Sequence, residues 1–107
     1  MIYTLEELRE KIKPIAEKYE IPAVYIFGSY ARGEATEDSD VDVLFDGRGT
    51  KLRGMMIGAL YADLEESLQK QLSLVETDAL EEPRVKLRRP WFYENVNREK
   101  VKVYGRN

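Results

Sequence analysis

A chain of 107 residues has room for one domain with a modest core, and 43% apolar with 35% charged residues is the balance of a soluble globular fold, expected to be a single domain over 1–107. With no cysteine and no histidine, the sequence excludes disulfides, thiol nucleophiles, the commonest general base and the usual zinc ligands, so its chemistry must run on carboxylates, hydroxyls, lysines, arginines or a metal. A formal charge of −3 gives no overall attraction for nucleic acid, no apolar run approaches the ~20 residues of a membrane span, and no secretion signal is visible, so a cytoplasmic location is expected.

In chain order, Thr4 with Glu7 three residues on is a capping-box signature. Leu5, Leu8, Ile12, Ile15, Ala16 and Tyr19 then recur at helical spacing, with Pro14 placed to kink or shorten the helix. After Ile21-Pro22, Ala23 to Phe27 reads as a short apolar strand ending at Gly28. Ser29 to Arg32 reads as a brief helix and Gly33 to Asp38 as a polar loop. Val41 to Phe45 is a second strand whose residues Val41, Val43 and Phe45 face away from the neighbouring aspartates.

Gly47 to Lys51 is a flexible loop, either a plain connection or a flap over a ligand. A second long helix carries Leu52, Met56, Leu60, Leu64 and Leu68 on one stripe, with Met55-Met56 expected as core filler. Gln71 to Val75 reads as a third strand, and Glu76 to Pro83 as a turn-rich connection with room for a helical turn. Arg84 to Arg89 is basic: a solvated edge strand or helix end, with docking of an acidic partner or RNA phosphates as the functional alternative. Pro90 opens a last helix through Trp91, Tyr93 and Val96, whose aromatic cluster with Phe92 is expected to cover the sheet, with a protein interface beside the basic stripe as the alternative. Val101 to Tyr104 is a tail, strand or coil. Strands alternating with helices predict an α/β fold, a small mixed sheet flanked by helices.

The chemistry concentrates between Gly28 and Phe45. Asp40 and Asp42 are two apart, and a strand sends such residues to one face. Two half-buried aspartates side by side repel each other unless a positive charge lies between them, and Mg²⁺, a hard cation that takes oxygen ligands, suits that place. Gly28 permits close backbone approach to a ligand, and a helix starting at Ser29 would aim free N–H groups at a phosphate. Ser29 can equally be a plain helix cap. Arg32 stays open between a phosphate contact and a salt bridge with Glu34, Glu37 or Asp38. Gly33 and Ser39 read as shaping the loop. A phosphate turn followed by paired acids points to a nucleotide site.

Gly28-Ser29, ten intervening residues and Asp40-x-Asp42 resemble the signature of the DNA polymerase β-type nucleotidyltransferase superfamily. With Ala31-Arg32-Gly33 and Ser39, the string is similar to the minimal nucleotidyltransferase (MNT) proteins of bacteria and archaea. The resemblance implies the polymerase β-type fold, with Asp40 and Asp42 as catalytic, Mg²⁺-holding residues and Gly28, Ser29 and Arg32 as nucleotide-binding ones. It implies transfer of a nucleoside monophosphate, AMP from ATP, to a hydroxyl. It further implies an antitoxin role, with a HEPN (higher eukaryote and prokaryote nucleotide-binding) toxin as partner and a tyrosine of that toxin as acceptor, as in type VII toxin–antitoxin pairs. A nucleic-acid partner is not expected, and homo-oligomerisation is left open.

One departure bears on activity. Members of the superfamily usually carry a third carboxylate on the strand after the second long helix, and in Leu72-Ser73-Leu74-Val75 that position falls on Ser73. Glu76 lies on the opposite face under strict alternation unless a bulge brings it round, and Asp46 and Asp78 sit at strand or loop ends. Retained transfer is favoured, with a catalytically silent nucleotide- or partner-binding module as the alternative.

Overall fold

The computed structural model describes residues 1–105. In chain order the elements are α1 (Leu5–Lys18), β1 (Ala23–Phe27), α2 (Gly28–Arg32), β2 (Val41–Asp46), α3 (Met55–Leu68), β3 (Leu72–Glu76), α4 (Thr77–Leu80), α5 (Pro83–Arg88), α6 (Pro90–Glu99) and β4 (Val101–Gly105). The capping box forms as its spacing predicts: the Thr4 hydroxyl accepts from the Glu7 N–H at 3.0 Å, and the Glu7 carboxylate accepts from the Thr4 N–H at 2.9 Å. Pro14 is accommodated inside an unbroken α1.

The strands form one mixed sheet in the order β3-β2-β1-β4. β1 runs antiparallel to both β2 and β4, while β2 and β3 are parallel, joined through α3. The tail left between strand and coil is thus an edge strand, Val24 pairing with Tyr104.

Alternation on β2 divides the hydrophobic residues between two cores. Val41, Val43 and Phe45 pack with Leu8, Ile12 and Ala16 of α1 and with Leu60, Leu64 and Leu68 of α3. Leu44 faces the other way, into a smaller cluster with Phe27, Leu80 and Val96. Asp42 shares the face of Leu44. The acid strand is therefore locked from behind by the main core and roofed by α4 and α6 in front. No helix among the described residues is long and apolar enough to cross a membrane.

Two expectations need correcting, for the methionines and for Trp91, and two open alternatives are resolved, for the basic stretch and the Gly47 loop. Met55 and Met56 are not core filler: Met55 is 93% exposed and Met56 is also exposed, because the core beneath the start of α3 is filled by Leu52 from the preceding loop. The basic stretch forms a short helix, α5, rather than an edge strand; the sheet edges are taken by β3 and β4. The Gly47 loop leaves the end of β2 opposite Asp42, pinned there by Asp46 hydrogen bonds to Arg48, so it is a connection and not a flap over the paired acids. Of the aromatic trio, Phe92 and Tyr93 cover the sheet but Trp91 stays exposed.

Removing the Thr4 cap should cost about 1 kcal/mol of stability. Thr4→Ala is expected to lower the urea midpoint without changing the denaturant slope.

Candidate active site

β1 ends at Phe27, which pairs across the sheet with Asp42, and the chain turns at once into α2. Gly28 makes that turn with φ +72°, a left-handed conformation that side chains rarely adopt. A Cβ there would collide with Oδ2 of Asp42. The sequence reading had this glycine clearing space for a phosphate; in the structure it clears space for the carboxylate itself.

Ser29 is not the helix cap. α2 begins one residue earlier, its cap position is Phe27, and no side chain satisfies the first turn. The first N–H groups of a helix have no intrahelical partner, so this turn presents unsatisfied donors beside Asp42. Gly33, with φ +74°, closes α2 in the left-handed conformation, and the Ser39 hydroxyl accepts from the Thr36 N–H, so both shape the loop as expected.

Arg32 adopts the salt-bridge alternative, though only partly with the predicted partners. Its Nε donates to Glu34 at 2.6 Å and its Nη1 to Glu99 at 3.0 Å; Glu37 and Asp38 are not its partners. The Glu99 contact ties α2 to the end of α6, 67 residues away in sequence. Arg32 nevertheless stays close enough to Asp42 for its charge to act there.

On the far side of Asp42, across the parallel β2–β3 pair, stands Ser73, in direct register. The residue aligned with the missing third carboxylate is thus a hydroxyl. Glu76 does not replace it. The β2–β3 register is unbroken, so Glu76 pairs with Phe45 on the opposite face and its carboxylate packs against Gly47. Asp46 is committed to Arg48, and Asp78 lies out on α4. No group of three or more acidic, histidine or cysteine side chains placed to hold a metal occurs among the described residues.

Asp40 is exposed, one residue before β2, and does not line the cavity, yet its charge reaches Asp42. Burial, and next the negative charge of Asp40, push the Asp42 carboxyl above its ordinary range; Arg32 and the Ser73 hydroxyl pull it back only in part. An unneutralised pair of this kind is the donor set that a hard divalent cation relieves, so the residues present fit Mg²⁺.

Gly28, Ser29, Arg32, Asp42 and Ser73 line one side of a cavity of about 360 Å³, and α6 supplies the other with Trp91, Phe92, Asn95 and Glu99. The α6 contribution is what the sequence reading missed. Trp91, Asn95 and Glu99 recur every fourth residue and share a helix face, a spacing visible in the sequence but distinct from the adjacent Trp91-Phe92-Tyr93 cluster expected to cover the sheet.

Residues 10–105 match the family described as Polymerase beta, Nucleotidyltransferase. A Methanocaldococcus jannaschii protein, provisionally named a protein adenylyltransferase, is 36% identical over 81 residues, spanning 76% of this chain and 82% of that relative. A solved structure provisionally named a minimal nucleotidyltransferase is 32% identical, superposes with a TM-score of 0.65, and is matched over 92% of this chain and 95% of its own. A complex of tri-AMPylated Shewanella oneidensis HEPN toxin with an MNT antitoxin contains a chain of the same fold, at a TM-score of 0.64 and 19% identity over 96% of this chain and 74% of that one.

Asp42 carries a pH prediction. Its folded-state pKa is raised, so its ionised form is penalised in the fold. The stability it contributes is greatest in acid and is lost as pH rises through the folded value. Asp42→Asn should therefore unfold at higher denaturant than the unchanged protein at pH 7, and that advantage should vanish as pH falls toward about 4. Urea titrations of both proteins at the two pH values check it.

Proposed function

The chain belongs to the polymerase beta nucleotidyltransferase family, and from that premise we propose that it is a Mg²⁺-dependent adenylyltransferase that moves AMP from ATP to a tyrosine hydroxyl of a HEPN partner. The observation that carries this reading is the joining of Asp42 to the α2 turn. The acid and the uncapped helix start border one cavity, with the Asp40 charge bearing on it. A relative provisionally named an adenylyltransferase and an AMPylated HEPN toxin among the structural neighbours support the choice of AMP and of partner.

In this reading Asp40 and Asp42 would hold Mg²⁺, whose chemistry is to neutralise the triphosphate and the departing pyrophosphate. The chain's own groups do the positioning. The Ser29 hydroxyl and the free N–H groups at the start of α2 bind phosphate oxygens. Arg32, steadied by Glu34 and Glu99, sets a positive charge at the same wall. Sheet register holds the Asp42 backbone between Phe27 and Ser73, which places its carboxylate at the cavity wall before the nucleotide arrives.

Ser73 cannot take up the proton of an acceptor hydroxyl near neutral pH, and Glu76 faces away. The acceptor must bring its own activation. That favours a tyrosine presented by a folded partner over a free small molecule. The competing reading, a silent module that neutralises its partner by binding alone, rests on the same serine.

Labelling separates the two. With α-labelled ATP, Mg²⁺ and a HEPN partner, the unchanged protein should transfer label to the partner. Asp40→Ala with Asp42→Ala should cut that rate roughly 100-fold or more while leaving the complex intact. Partner neutralisation with no label transferred by either protein would establish the silent module instead.

A further inference from the structure

Trp91 is the feature that the nucleotide-transfer reading leaves unused. Large aromatic side chains stabilise a fold by being buried, yet this indole remains 59% exposed while lining the cavity that holds Asp42. It is not a loose side chain. Phe92 meets it edge-on, with ring centroids 6.1 Å apart and planes at 84°, and the Arg89 guanidinium lies over it at 5.5 Å. Phe92 is itself edge-on to Phe27, the residue that leads into the Gly28 turn. A chain of ring contacts thus runs from the phosphate end of the cavity to Trp91 and holds the indole in place.

The shape of the cavity assigns it a task. A nucleotide is long, with an anionic end and a flat aromatic end. The α2 wall offers N–H groups, a hydroxyl and an arginine; the α6 wall offers an exposed indole with the Asn95 amide one turn further along the same face. Phe27 is buried and Phe92 is largely engaged by its neighbours, so Trp91 is the cavity aromatic with most surface still to cover. Resting on the nucleotidyl-transfer reading, we propose that Trp91 is the platform on which the nucleobase stacks, with Asn95 at the base edge, so that α6 rather than the acid strand selects for a nucleoside.

The test is unusually direct because Trp91 is the chain's single tryptophan. ATP with Mg²⁺ should quench its fluorescence, whereas tripolyphosphate with Mg²⁺, which has no base, should bind and leave the emission unchanged. By calorimetry Trp91→Ala should weaken ATP binding roughly 5- to 150-fold, the range found when a base-stacking aromatic is truncated. The same variant should leave tripolyphosphate affinity as it was, and Trp91→Phe should restore most of the ATP affinity. ATP binding by calorimetry with unchanged emission, and with equal affinity in Trp91→Ala, overturns the proposal and leaves the transfer reading standing. Equal loss of ATP and tripolyphosphate binding overturns it too, by making Trp91 a support of the cavity wall. Absence of ATP binding in the unchanged protein removes the transfer reading and the stacking role with it. Emission that responds only to the HEPN partner assigns Trp91 to the acceptor side and also overturns the proposal.

Discussion

Everything at the candidate site depends on one close approach, the backbone of Gly28 against the carboxylate of Asp42. Gly28 follows the strand residue that pairs with Asp42, so sheet register brings the turn and the acid together, and the missing Cβ lets them touch. The left-handed φ at Gly28 then starts a helix at once, and its first turn, which no side chain caps, lines the cavity that Asp42 borders. Two features that look separate in sequence are one steric unit. Any residue but glycine at this position would both strain the turn and displace the acid.

The unit is built at a thermodynamic disadvantage. Asp42 is half-buried, sits near a second negative charge, and receives only partial relief from Arg32 and Ser73. A fold concerned with stability alone would place an amide or a serine there. The main core absorbs the cost: Val41, Val43 and Phe45, alternating with the acid along the same strand, are essentially fully buried between α1 and α3. Stiffness behind the acid and an unrelieved charge in front of it are what a site built to receive a cation and an anionic nucleotide needs. Ser73, in register with Asp42, leaves the cluster with less negative charge than a three-acid site would carry.

The sequence was legible where a single local rule decided the outcome. The capping box at Thr4, the two apolar strands, and the division of β2 into a core face and an acid face all followed from spacing. Gly28, Ser29, Arg32, Asp40 and Asp42 stand out by their pattern, and four of the five line one cavity in the fold. Legibility failed where long-range packing decided. Nothing local shows that Arg32 would reach Glu99, or that Leu52 would take the core position Met56 was expected to fill. The role of α6 was hidden for the same reason, since an aromatic stripe on a terminal helix reads equally well as sheet cover until the sheet's other face is known. Glu76 is the opposite case: period-two alternation alone put it on the wrong face to replace the absent carboxylate, and the unbroken β2–β3 register agrees.

In the proposed reading the Gly28–Asp42 unit is a live, metal-assisted nucleotide site rather than the relic of one. Isothermal titration of the unchanged protein with ATP, in Mg²⁺ and again in EDTA, tests it most directly. Saturable binding should appear with Mg²⁺, collapse in EDTA, and be lost in the Asp40→Ala, Asp42→Ala variant. Binding of equal strength with and without the metal, or undiminished in the variant, would contradict it.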